Sequence, residues 1–216
     1  MSSRKASLEN NELYHIYNRG VDKRKIFSDK KDLLRFFESL KEFNTQEPIG
    51  SLYEKKYERK NHFGGSTPKK EVGEKLVSVI AFCLNPNHFH FILKQNIDKG
   101  IEKLMHKIGT GYTGYFNIKN KRSGSLFQGR FKSKHIDNNE HLLYLSAYVN
   151  LNDKIHGIDN EKEPSFSSFK EYTENIKGVC EKSIILDQYK NKQEYKKSLE
   201  NLLPELIRQK EKEFND

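Results

Sequence analysis

The sequence predicts an α+β fold: a ferredoxin-like split βαβ arrangement in which an antiparallel sheet carries helices on one face, followed by a helical C-terminal extension. Three observations predict it. Residues 76–83 and 88–94 are apolar, β-rich runs separated by Asn85-Pro86-Asn87, the clearest hairpin in the chain. Residues 29–44 and 101–117 carry apolar side chains at helical spacing. The full order, strand, helix, strand, strand, helix, strand, helix, is that of the split βαβ plan.

Each element has its own justification. Leu13 to Arg19 alternates aromatic or aliphatic residues with polar ones and stops at Gly20. The helix from Asp29 to Asn44 repeats Leu33, Leu34, Phe36, Phe37, Leu40 and Phe43, with Ser28 as its expected N-cap. Residues 45–73 set Pro48, Gly50, Gly64, Gly65, Pro68 and Gly73 among charges and read as a long, mobile insertion. After the hairpin, Ile101, Leu104, Met105 and Ile108 share one helical face, while Gly109, Gly111 and Gly114 weaken the second half of that helix. Residues 126–136 read as a short strand rich in Phe and cations, in which Arg130 and Lys132 share a face. Asp137 to Glu140 has capping-box spacing ahead of Leu142, Leu143, Leu145, Tyr148 and Val149. Residues 186–213 read as one or two charged helices.

Composition narrows the class. The chain has 216 residues, of which 12% are aromatic, enough to fill a core and too many for a disordered chain. No apolar run approaches the ~20 residues that span a bilayer, and the N-terminus has no apolar signal core. With two cysteines, Cys83 and Cys180, there is neither a disulfide framework nor a zinc cluster. The expectation is a cytoplasmic protein with no membrane partner. The net charge is +9, and it is concentrated: residues 99–135 hold nine Lys and Arg against the single acid Glu102, whereas residues 158–216 hold eleven basic and thirteen acidic residues. A cation-rich middle beside a balanced tail points to a polyanionic partner, with a solvated Lys-rich surface as the alternative.

The candidate chemistry lies in two places. His88 and His90 sit two apart in the return strand, so both face one way, about 7 Å apart, and Phe89 and Phe91 face the other. A pair of imidazoles on one face suits a divalent metal but leaves the site incomplete. Tyr144, Tyr148 and Asn152 recur at i, i+4 and i+8 and share a helix face. An Asn carbonyl is a hard oxygen suited to Mg²⁺ or Mn²⁺. Read by themselves, the histidines are equally surface or hydrogen-bonded groups, and the tyrosines equally amphipathic packing.

Taken in order, Tyr14-His15-Ile16-Tyr17-Asn18-Arg19-Gly20, Ala81 to His90, Gly124-Ser125-Leu126-Phe127-Gln128-Gly129-Arg130-Phe131-Lys132-Ser133 and Tyr148-Val149-Asn150-Leu151-Asn152 resemble the HUH single-tyrosine transposase superfamily. They are most similar to the REP-associated tyrosine transposases. The resemblance spans residues 13 to about 157. It implies a catalytic domain over 1–157, with 158–216 as an uncovered extension. It also implies a metal-dependent single-strand DNA endonuclease and strand transferase, working on hairpin or repeat-associated DNA through a 5′-phosphotyrosine. By position, His88 and His90 match the histidine pair, Tyr148 the nucleophile, and Asn152 the polar residue that completes the metal site for Mg²⁺ or Mn²⁺. Two departures stand out: Asp153 replaces the usual Pro and could itself supply a ligand, and Asn85-Pro86 stands where Met-Pro is frequent. The REP-associated relatives imply a monomer.

On this reading Arg19, Lys119, Lys121, Arg122, Arg130, Lys132 and Lys134 hold the DNA backbone, and Tyr112, Tyr115, Phe116 and Phe127 are candidates both for base stacking and for core packing. Two other classes compete: a ferredoxin-like sheet that binds single-stranded nucleic acid without chemistry, and a metal hydrolase that uses water and has no need of Tyr148.

Overall fold

The structure is a computed structural model that describes residues 8–47, 49–50, 52, 73–159 and 161–215. The insertion expected at 45–73 lies for the most part outside the described residues. Five strands, β1 (Leu13–Arg19), β2 (Val77–Asn85), β3 (His88–Gln95), β4 (Lys132–His135) and β5 (Phe166–Ser167), form one sheet in the order β4-β1-β3-β2-β5. All four pairings are antiparallel. The first four strands reproduce the split βαβ order, and β5 adds an edge beside β2.

Strand alternation sorts the side chains onto two faces. Phe89, Phe91 and Leu93 of β3 join Tyr14 and Ile16 of β1 in one core. That face is covered by α1 (Lys30–Glu42) and α2 (Gly100–Lys119), whose Leu33, Phe36, Leu40, Ile101, Leu104, Met105 and Ile108 are buried against it. Ile80, Cys83 and Ile92 belong to a second core on the opposite face. It is closed by α3 (Asn139–Asn150), the short α4 (Asn152–Ile155), and the C-terminal α5 (Phe169–Thr173), α6 (Ser183–Leu186) and α7 (Lys192–Asn215), which bring Tyr172, Ile185, Tyr195, Leu199 and Leu206. The two crossover helices thus share one face, and the extension completes the other.

Several local expectations need correction. The N-cap of α1 is Asp29, not Ser28: Asp29 is extended and its side chain accepts from the Asp32 amide, while the Ser28 amide donates to Asp32 Oδ2. Asn138, not Asp137, caps α3, accepting from the His141 amide. The strand expected over 126–136 is confined to Lys132–His135, because Gly129 turns at φ 72° and leaves Arg130 in the bend before it. Arg130 and Lys132 are therefore not alternate residues of one strand. The glycines of α2 do not stop that helix; at Gly111 a Cβ would lie 3.4 Å from the Phe43 ring. Tyr112, Phe116 and Phe127 are buried in the first core, with the Tyr112 hydroxyl donating to Ile26 O at 2.6 Å, so they cannot stack on bases. Tyr115 Oη donates to Asp32 Oδ1 at 2.9 Å. Both cysteines are free thiols, and no helix among the described residues is long and apolar enough to cross a membrane.

Candidate active site

The site forms where β1 and β3 lie side by side beneath α3 and α4. The antiparallel register sets Tyr17 opposite His90 and Arg19 opposite His88. On the other side of β1 it sets Lys132 opposite Tyr17 and Lys134 opposite His15. Residues paired across strands share a face. Arg19, Lys132 and Lys134 therefore stand on the same face as the histidines, and Phe89 and Phe91 are buried beneath it.

The interactions run outward from His88. Its Nδ1 lies 2.6 Å from Asn87 Oδ1, which fixes the proton on Nδ1 and leaves Nε2 as a bare lone pair. That Nε2 is 3.0 Å from Asn152 Oδ1 and 3.1 Å from Asn85 Nδ2. Asn85 Nδ2 also donates to Asn152 Oδ1 at 2.7 Å. The Asn152 Nδ2 is buried with no hydrogen-bond partner among the described residues. His90 bonds through Nδ1 to His15 Nε2 at 2.8 Å. The Tyr148 ring stands edge-on to His90, with centroids 5.5 Å apart, and to His15 at 6.4 Å. The ring of His156 lies 4.7 Å from that of His88.

His88, His90, Asn152 and Tyr148 are thus brought to one place. Asp153 Oδ1 instead accepts its neighbour's amide, from Lys154, at 2.8 Å. Spacing alone did not single out His15, Tyr17, Asn85 and His156. Three of them carry a spacing signal: His15 and Tyr17 alternate in β1 as His88 and His90 do in β3, and His156 is one helical turn beyond Asn152. Tyr144 leaves the site; its hydroxyl donates to Gln209 Oε1 at 2.5 Å.

Burial keeps these imidazoles neutral. His90 is held well below its ordinary value by desolvation, then by the neighbouring His15, His88 and His156. His88 is lowered by the same desolvation, which the hydrogen bond that its protonated ring would donate to Asn152 only partly opposes. His15 falls to about 4, through burial and then the nearby His141 and Lys134, and His156 falls to about 4, through burial and then His88 and Lys210. A neutral imidazole is the form that binds a metal. Among the described residues no group of three or more His, Cys, Asp or Glu could hold a metal ion. The donor set is instead two imidazoles with the amide oxygen of Asn152. His88 Nε2 and Asn152 Oδ1 are separated by 3.0 Å, the spacing of adjacent ligands in an octahedron with bonds of about 2.1 Å, so the set suits a hard divalent cation.

The cations expected to hold DNA divide into two groups. Arg19, Lys132 and Lys134 border the site; Arg19 Nε donates to Gln128 Oε1, and Lys132 lies 5.9 Å over the Tyr17 ring. Arg130 is exposed in the bend ahead of β4. Lys119, Lys121 and Arg122 instead end α2, on the opposite side of the sheet. Lys119 is paired with Asp29 at 2.9 Å and with the fully buried Asp32 at 2.6 Å. Arg122 donates to Asn117 Oδ1 and Ser125 O and packs on Phe116. Both charges have partners within the fold, on the face away from the histidines.

Residues 65–152 match the family model described as "Transposase IS200 like". The fold is similar to that of "Structure of the REP associates tyrosine transposase bound to a REP hairpin", with a TM-score of 0.51 and 16% identity, covering 80% of this chain and 85% of that one. No curated protein matches the chain.

Proposed function

We propose that this chain, whose residues 65–152 match the IS200-like transposase family model, cuts and rejoins single-stranded or hairpin DNA through Tyr148. The observation that supports this most is the convergence on one sheet face of a tyrosine edge-on to His90 at 5.5 Å and a His88–Asn152 donor pair 3.0 Å apart. A binding module without chemistry has no use for that arrangement.

In this reading His88, His90 and Asn152 hold a divalent cation, Mg²⁺ or Mn²⁺. Bound there, it supplies positive charge to the non-bridging oxygens of the scissile phosphate. The neutral imidazoles present lone pairs for it at neutral pH. Arg19, Lys132 and Lys134 bind the phosphates on either side, and the exposed Arg130 extends that track. The Tyr148 oxygen forms a bond to phosphorus as the bond to the 3′ oxygen breaks. The product is a 5′-phosphotyrosine with a free 3′-OH, and the proton lost by tyrosine balances the one gained by the leaving oxygen. Reverse attack by a 3′-OH restores the phosphodiester and frees Tyr148, so rejoining needs no nucleotide cofactor. With the tyrosine and the donor set in one chain, the working unit is a monomer acting in the cytoplasm.

The test uses hairpin oligonucleotides drawn from the DNA flanking the gene, with Mn²⁺. The unaltered protein should cleave them and form a covalent protein–DNA band on a denaturing gel. Tyr148→Phe should bind them equally and give neither product. Cleavage that survives Tyr148→Phe would assign the chemistry to activated water and overturn the proposal.

A further inference from the structure

We infer that Asn85 is a ligand of the cation site, making with His88 and Asn152 a three-point face of hard and imidazole donors. This rests on the metal-dependent reading above and adds a residue to it. Asn85 closes β2 opposite His88 and is fully buried. Its terminal amide atom, His88 Nε2 and Asn152 Oδ1 form a triangle with sides of 2.7, 3.0 and 3.1 Å. Three ligands on one face of an octahedron with bonds of about 2.1 Å are about 3 Å apart, so the triangle has the dimensions of such a face.

The end of the Asn85 side chain that faces the triangle is Nδ2, which reaches both acceptors. A half-turn of this amide about its last side-chain bond exchanges its two nearly isosteric ends. It sets Oδ1 at the same corner. The outward end then meets the Cys83 thiol, which now lies 3.3 Å from Oδ1 and is a weak acceptor as well as a weak donor. The turn therefore leaves no strong hydrogen bond behind in the buried wall. Asn85 thus holds the corner through its N–H groups and, with a cation bound, offers its carbonyl oxygen at the same point. A methionine at this position could do neither. An amide-rich face also favours hard Mg²⁺ and Mn²⁺ over softer ions.

The test is calorimetric titration of Mn²⁺ into the full chain, compared with Asn85→Ala, Asn85→Asp and His88→Ala. Asn85→Ala should weaken Mn²⁺ binding at least tenfold, and the nearly isosteric Asn85→Asp should bind at least as tightly as the unaltered chain. Asn85→Ala protein that melts normally and binds Mn²⁺ unchanged, while His88→Ala does not bind, would overturn the role of Asn85 and leave the metal reading standing. If Asn85→Ala does not fold, Asn85→Asp decides, and a tenfold loss there overturns the inference. No Mn²⁺ uptake by the unaltered chain would remove both.

Discussion

At the scale of single residues, folding strips water from the histidines of the candidate site. His15 titrates near 6.5 when unfolded and near 4 when folded, so between those values the unfolded chain binds the extra proton. Stability is therefore full above pH 6.5 and falls as the pH drops toward 4, by on the order of 3 kcal/mol for a shift of this size. His15→Gln removes this group, so urea midpoints measured from pH 7 to 4.5 should fall less steeply for the variant than for the unaltered chain; parallel slopes would contradict the assignment. The pair His88 and His90 was legible from the two-residue strand period. Their partners were not, because His15 and Asn85 reach them across strands, and pairing register is set by the whole sheet rather than by any local pattern. Asn138 and Asp29 show the same limit on a small scale: two adjacent cap-forming residues compete, and only backbone φ decides between them.

At the scale of elements, α7 holds the tyrosine helix. Tyr195 Oη accepts from Asn150 Nδ2 at 2.9 Å, one residue before the turn into Asn152, and Asn150 Oδ1 accepts from Ser168 Oγ at 2.6 Å. Lys210 Nζ donates to Ile155 O at 3.2 Å. The extension thus contacts both α3 and α4. Tyr195→Phe keeps the ring in the second core and leaves the Asn150 amide buried without its partner, a cost of about 1–3 kcal/mol. The expected outcome is a lower melting temperature with the fold intact; an unchanged melting temperature would show that Asn150 does not depend on α7. The charged 186–213 stretch was readable as helical, but its docking site was not. Tyr195, Leu199, Leu202, Leu203 and Leu206 recur at helical spacing, but a local pattern does not say which surface they cover; they pack into the second core.

At the scale of the whole molecule, the positive charge is divided between the two faces of the sheet. The cluster at 99–135 was visible in the sequence, but its division was not, because it depends on which side of the sheet each element falls. Lys132 and Lys134 share the face of the histidines, so replacing both with Ala should flatten the salt dependence of single-strand binding by about 1.4 in log–log slope, at roughly 0.7 per phosphate contact. Lys119→Ala should leave that slope alone and lower stability, since it strips the buried Asp32 of its ion pair. Equal changes in slope for both variants would show the charge to act as one undivided field. In the proposed reaction Tyr148 carries the DNA strand covalently. The most direct measurement is intact and peptide mass spectrometry of the protein after reaction with a cleavable hairpin oligonucleotide and Mn²⁺. The expected result is a mass increase equal to the 5′-phosphorylated fragment, located on the peptide that contains Tyr148. Cleaved DNA with no adduct on any peptide, or an adduct on another tyrosine, would contradict it.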